Sequence, residues 1–240
     1  MAYGYNSNKR GRKQSRSKTK QLEARRILAS LAMAAGILAY PFGTGEAATA
    51  IVRKDGTAIT PGTGNVYNIN PEGSSGTFAY NRFQQFALDQ GHIANLQFGN
   101  ASTLANLVNN KVTINGIVNA VKNNQIDGHL IFLSPNGIAV GSSGVINAGQ
   151  FTGIVPTPEA FKTLYDTNNP ATDITLAAIN TIRDGAYAND KTIDIAGQIN
   201  THSGVMLGAG IINIQDGAKI QSTKDLNFTS LVNTGSANAG

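Results

Sequence analysis

The sequence predicts an all-β chain wound as a parallel β-helix (solenoid), with an N-terminal cap and a short helical insertion near residues 156–190. Composition is the first observation behind this. Of 240 residues, 27 are Gly and only 14% are charged, while Asn, Thr, Ile and Val abound; β-branched runs broken by turn formers favour strands over helices. The second is a recurring unit: apolar-x-apolar, a short gap, Gly, then x-apolar-polar-small. Val112–Ala120 matches Ile193–Thr201, Ile138–Ala148 fits with two extra residues, and Ile212–Ser222 is a fourth copy. The third is spacing. The anchors Val118, Ile146, Ile199 and Ile220 lie 28, 53 and 21 residues apart. A period of about 20–30 residues marks stacked coils, and the long interval is one coil plus an insertion.

Taken in order, residues 1–50 read as an address, a disordered or helical signal region with a long basic arm. Residues 1–26 hold nine Lys/Arg and one acid, Glu23, whereas residues 51–240 hold ten basic and twelve acidic side chains. The net charge of +5 therefore belongs to the arm, and the body is slightly acidic. A nucleic-acid-binding domain would carry its positive charge on the folded body, so no nucleic-acid partner is expected. An uncharged run of fourteen residues, Ile27–Tyr40, follows. It is shorter than the roughly 20 residues of a bilayer span. Basic arm, apolar run and small residues form a secretory signal pattern. Ala48-Thr49-Ala50 places the cut before Ile51, with a cut after Ala47 as the alternative. A nuclear or nucleic-acid arm and a retained membrane anchor are the rival readings. The chain has no Cys, which suits an exported bacterial chain that must stay unfolded in the periplasm.

Residues 51–240 then form one β-helix domain. In the repeat, alternation puts Ile193/Ile195 and Ile212/Ile214 on one face, and Gly supplies a bend or a positive φ between two strands. Within the insertion, Pro158-Glu159 opens a helix carrying Phe161, Leu164 and Tyr165. Asp173 caps a second one carrying Leu176, Ile179 and Ile182. The insertion is read as a decoration on the solenoid flank, with partner binding as the second reading.

Ordered motifs over residues 65–155 carry a resemblance. They run Asn65-Val-Tyr-Asn68-Ile-Asn, Phe78-Ala-Tyr-Asn81-Arg-Phe83-Gln-Gln-Phe86, Ile93-Ala-Asn-Leu96, Leu104-Ala-Asn-Leu107, Ile114-Asn-Gly116-Ile-Val-Asn119-Ala, Leu130-Ile-Phe-Leu133-Ser134-Pro135-Asn136-Gly137 and Gly144-Val-Ile-Asn147. This stretch resembles the N-terminal secretion (haemagglutination-activity) domain of two-partner secretion exoproteins, such as filamentous haemagglutinin-like and leukotoxin-like adhesins. The family's usual Asn-Pro-Asn-Gly is Ser134-Pro135-Asn136-Gly137 here; Ser suits the first position of a β-turn as Asn does. A second Asn-Pro-Asn-Leu motif, found in some members, is missing, which places the chain with the subgroup lacking it.

The resemblance implies a right-handed parallel β-helix, passage through the general secretion machinery and the periplasm, and recognition by an outer-membrane transporter bearing POTRA domains. It implies a secreted or bacterial-surface location, with a host-surface or matrix receptor as a further partner. Asn65, Asn68, Asn81, Phe83, Phe86, Asn119, Ser134, Pro135, Asn136 and Gly137 are the recognition candidates, through strand pairing with the periplasmic modules. Each has a plainer reading. Phe83 and Phe86 suit the core, Asn119, Asn147 and Asn200 an internal Asn ladder, and Gly137 the turn. A self-contained surface adhesin and an autotransporter passenger are the alternative functions.

No catalytic, cofactor or metal residue is assigned. His92, His129 and His202 are scattered, and the acids Asp127, Asp194, Asp216 and Asp225 are spread out. Asp194 and Asp216 are expected one coil apart and facing solvent. A nucleophile elbow, a zinc-protease motif and a P-loop are all missing from the sequence, so the expected protein is not an enzyme.

Overall fold

The computed structural model describes residues 48–185 and 187–230. Most of the signal region therefore lies outside the described residues; of it only Ala48, Thr49 and Ala50 are described. Among the described residues no helix is long and apolar enough to cross a membrane.

The chain is mostly strand. An opening β1 (Ala50–Arg53) precedes the first tier, which holds β2 (Val66–Ile69), β3 (Gly73–Ser75) and the eleven-residue β4 (Phe78–Leu88). The second tier is β5 (Ile93–Gln97), β6 (Thr103–Val108) and β7 (Val112–Ile114). The third is β8 (Ile117–Lys122), the short β9 (Gln125–Ile126), β10 (His129–Leu133) and β11 (Ile138–Val140). β12 (Val145–Ala148), β13 (Gln150–Ile154) and β14 (Thr192–Ile195) follow, then β15 (Gln198–Thr201), β16 (Val205–Ala209) and β17 (Ile211–Ile214), and last β18 (Lys219–Gln221) and β19 (Leu226–Ser230).

Corresponding strands pair in parallel from tier to tier. One column runs β2-β5-β8-β12-β15-β18 and a second β4-β6-β10-β13-β16-β19. A third, β7-β11-β14-β17, joins the far end of β4, so the sheets have 7 and 12 strands. This wiring is consistent with a parallel β-solenoid. The repeat alignment is the register of the sheet: Val118 pairs with Ile146, Ile146 with Ile199 and Ile199 with Ile220. Val112, Ile138, Ile193 and Ile212 form a second stacked row. Between the columns these inward aliphatics pack with Phe83, Phe86, Phe132 and Phe151 in one buried cluster.

Three strands break the parallel rule: β9 folds back antiparallel on β8, and two more lie at the start of the stack. β1 and β3 pair antiparallel with β4 and close the first tier. They occupy hydrogen-bonding positions on β4 that would otherwise form an open sheet edge.

The insertion interrupts the chain between β13 and β14, and an isolated Pro156–Tyr187 bridge closes its base. It holds α1 (Pro158–Tyr165), the single-turn α2 (Pro170–Asp173) and α3 (Leu176–Arg183). Thr157 caps α1, accepting the Ala160 N–H at 3.3 Å, and Pro158 fills the first helical position, where its missing N–H costs nothing. The cap of α3 is Thr175, whose Oγ1 accepts the Ala178 N–H at 3.1 Å, rather than Asp173. Asp173 instead ends α2, too far upstream to reach the orphan amides of α3. Phe161, Leu164, Tyr165, Ile179 and Ile182 bury against Tyr80, Leu107, Ile131, Leu133 and Ile154 on the outer face of the second column. Leu176 remains 39% exposed. The insertion is thus packed on the flank, as the sequence suggests.

Of the bend and the positive φ expected of the repeat glycines, Gly116 and Gly197 supply the bend. Gly116, Gly144 and Gly197 do not have positive φ. They are required by closeness: a Cβ on any of them would strike carbonyl oxygens of the preceding tier, those of His92 and Asp89, of Ile114, and of Gly141 and Gly144 respectively. Gly217 does have positive φ, 85°, and open space around it.

Candidate functional site

The Ser134–Gly137 segment forms a β-turn between β10 and β11. Pro135 sets φ for the second position, and the Gly137 N–H donates to the Ser134 carbonyl at 3.4 Å. Ser134 is buried and works twice: its hydroxyl donates to the Asn110 carbonyl at 2.9 Å and accepts the Asn136 N–H at 3.2 Å. Ser134 therefore supplies the turn-closing side-chain bond. Asn136 is exposed, and its Nδ2 donates to the Asn109 carbonyl at 2.7 Å. Gly137 has φ +100°, and a Cβ there would meet the Thr192 carbonyl at 2.8 Å.

That turn is one level of a stacked corner. Asn109 and Asn110 donate their N–H groups to the Phe83 and Gln84 carbonyls at 2.9 and 3.0 Å. The corner thus stacks the Phe83 and Gln84 carbonyls, then Asn109 and Asn110, then Ser134, Pro135, Asn136 and Gly137, from three successive tiers. Sequence reasoning missed Asn109 and Asn110. Asn109 precedes Asn136 by 27 residues, close to the repeat period, and that spacing would have found it.

The other candidates lie elsewhere. Phe83 and Phe86 are fully buried, their rings 5.5 Å apart in an edge arrangement. Asn81 is also fully buried. Its Oδ1 accepts from Arg53 Nη1 at 3.0 Å and from the Glu72 N–H at 2.9 Å, and its Nδ2 donates to Asn106 Oδ1 at 3.0 Å. Asn106 passes the chain on to the Ile131 carbonyl at 3.1 Å. Asn65 ends a short 3₁₀ turn, exposed, with φ 58°.

Asn68 and Asn119 belong to the first column. There Asn68, Asn95, Asn119, Asn147 and Asn200 form a continuous ladder, each Nδ2 donating to the Oδ1 of the previous tier at 2.9–3.0 Å. The ladder was expected inside. It runs instead along the outward face, because Asn alternates with the buried Tyr67, Ala94, Val118, Ile146 and Ile199.

No protein family, curated protein or solved structure matches the chain. Its own geometry therefore carries the functional reading.

A polar clamp joins the closing strands to the insertion. Lys54 donates to the Tyr165 carbonyl at 2.6 Å and stands 4.8 Å over its ring. Arg82, ion-paired with Glu72, reaches the Tyr165 and Thr167 carbonyls at 3.3 and 3.2 Å. Both cations thus sit at the C-terminal end of α1, where the helix carbonyls are unsatisfied. The Tyr165 hydroxyl donates to the Phe83 carbonyl at 3.2 Å, and burial, with Asp166 nearby, pushes its pKa up to about 12. A cleft of about 280 Å3 bordered by Arg53, Lys54, Asp55, Glu72 and Arg82 opens over this clamp.

The scattered ionisable groups stay scattered. Among the described residues no three His, Asp or Glu side chains converge as a metal site would require. Across the tier Asp194 faces Asn213, and Asp216 is exposed in the turn that follows that strand. Burial opposes the ionisation of Asp194, but hydrogen bonds from Thr192 and Asn213 and the charge of Lys111 hold its carboxyl below the usual value.

His129 is the one strongly perturbed imidazole. It opens β10 with Nε2 2.8 Å from Thr152 Oγ1, and burial, helped by the charge of Arg183, lowers its pKa to about 4. The unfolded state, with an imidazole near 6.5, binds more protons below neutrality, so stability is full above that value and drains as pH falls toward 4. His129 should therefore cost about 2 kcal/mol between pH 7 and pH 4.5. Urea unfolding at both pH values should show this loss in the wild type and a smaller one in His129→Gln. An equal loss in the two proteins would refute the assignment.

Proposed function

We propose that this chain is the secretion-targeting and fold-nucleating domain of a two-partner-secreted bacterial exoprotein, built as a right-handed parallel β-helix. It follows the general secretion route to the periplasm. There a POTRA-bearing outer-membrane barrel recognises it and passes it to the cell surface.

The observation that carries the reading is an asymmetry between the two ends of the stack. The first tier is closed by antiparallel β1 and β3. At the other end, Leu226 and Phe228 continue the inward rows of Val205 and Leu207, yet they are 46% and 43% exposed. Among the described residues one end is thus sealed and the other presents apolar side chains in the register that a further tier would cover. A chain that emerges through a pore without ATP needs such a template. Each added tier gains a row of hydrogen bonds and buries aliphatics at about 25 cal/mol per Å2, which opposes backsliding. The sequence motifs over residues 65–155 point to the same role.

The test fuses a passenger after residue 240 and co-expresses a POTRA-bearing barrel transporter of the two-partner secretion type. The passenger should reach the medium only when the transporter is present. Its retention in the periplasm in both cases would refute the proposal. Asn136→Ala, which removes the exposed bond to Asn109, should lower the secreted yield several-fold while costing at most ~1 kcal/mol of stability; unchanged yield would show the corner to be dispensable.

A further inference from the structure

Resting on the export reading above, a second conclusion follows from the first residues of the fold. Asp89 closes β4 and is only 9% exposed, and its Oδ1 is a buried side-chain oxygen without a hydrogen-bond partner among the described residues. No described side chain forms an ion pair with it. Burying a carboxylate without a partner costs several kcal/mol, so a missing cation or donor is the question this residue poses.

The neighbouring strand supplies a direction. β1 runs antiparallel to β4 with Ala50 opposite Ala87, Ile51 opposite Phe86 and Val52 opposite Gln85. Continuing that register puts Thr49 opposite Leu88 and Ala48 opposite Asp89. Thr49 already reaches that level, since its Oγ1 accepts the Asp89 N–H at 2.8 Å. Directly opposed residues in an antiparallel pair have Cα atoms about 4.5–5.5 Å apart, so an amino group on Ala48 is within reach of the Asp89 carboxylate.

We infer that export cuts the chain between Ala47 and Ala48, and that the α-ammonium thereby released pairs with Asp89. The cut hydrolyses one amide. Water adds its hydroxyl to the Ala47 acyl carbon, and the Ala48 nitrogen becomes a free amine, protonated at neutral pH. Gly45 and Ala47 supply the small-x-small pattern a signal peptidase requires. A cut before Ile51 would delete Thr49 and Ala50. It would remove the first pair of the β1–β4 ladder and strip the Asp89 N–H of its acceptor. A cut after Ala48 would put Glu46 where a small residue is needed. Before cleavage the Ala48 nitrogen is an uncharged amide. Among the described residues, only the processed chain's α-ammonium is placed to neutralise Asp89, so removal of the leader completes the first tier.

The full chain, with its leader, is exported in a Gram-negative host, and the mature protein is examined by N-terminal sequencing and intact mass. Ala48 is the expected first residue. A start at Ile51 would overturn this inference while leaving export intact, and a start at Met1 would overturn the export reading itself. The pairing is then read from the acylation rate of the α-amine at neutral pH, located by peptide mass spectrometry. In the native wild type it should be at least about tenfold slower than in the same protein unfolded in urea, since one unit of raised pKa is a factor of ten. Asp89→Asn should bring the native rate close to the unfolded one; equal native rates in variant and wild type would refute the pairing. Should the variant fail to accumulate, the wild-type comparison decides alone: a native rate equal to the unfolded rate overturns the inference.

Discussion

Gly197→Ala is expected to destabilise the protein by ~3 kcal/mol or more, an effect at the upper end for one added methyl group. The methyl would point at the Gly141 and Gly144 carbonyls, both backbone atoms of the tier before. Neither oxygen is free to retreat. The Gly144 carbonyl accepts the Gln198 N–H at 2.9 Å, and the Gly141 carbonyl accepts the Gly144 N–H at 2.8 Å. Relief therefore requires the tiers to part, which breaks the ladder the stack depends on. Gly217→Ala is the control. Its methyl meets nothing, and the cost is that of holding alanine at φ 85°, about 1–2 kcal/mol. Urea unfolding of both variants separates the two causes. If Gly197→Ala unfolds no more readily than Gly217→Ala, close packing is not what fixes the repeat glycine.

That distinction shows where the sequence could be read and where it could not. The rows through Val118 and Val112 were legible because each anchor recurs at a fixed place in the unit, those of the Val118 row followed by a polar and then a small residue, and the sheet keeps that order. The reason for the repeat Gly was not, since positive φ and close approach call for the same residue. Period-two alternation also vanishes along the second column: all six residues of β6 are buried, as are eight of the eleven in β4. There the helices cover the outer face, so both sides of the strand are apolar and the pattern carries no register. The closing strand β1 lay within reach of the leader and had no repeat to reveal it. Among the proposed recognition residues, the turn at Ser134–Gly137 was legible because turn chemistry is local. The burial of Asn81 depends on Arg53, 28 residues away, and no short-range signal records it.

Two phenylalanines differ in the same way. Phe132 is fully buried, with its ring 5.1 Å from Phe86 in an edge arrangement and 6.5 Å from Phe151. Phe86 in turn contacts Phe83, so the rings run as an aromatic chain between tiers. Phe132→Ala removes a middle link and should cost about 3–5 kcal/mol, the cavity term included. Phe228 is the same side chain in the last tier but 43% exposed. Truncating it should cost under about 1.5 kcal/mol, because much of its surface meets water already. The two variants also separate folding from targeting in the proposed role. A nucleus weakened at Phe132 should lower secreted yield and leave more chain in the periplasm, whereas Phe228→Ala, which leaves the inner tiers intact, should lower it less. Equal secretion of both, with the stability difference confirmed in urea, would mean that passage through the transporter does not draw on the stability of the inner tiers.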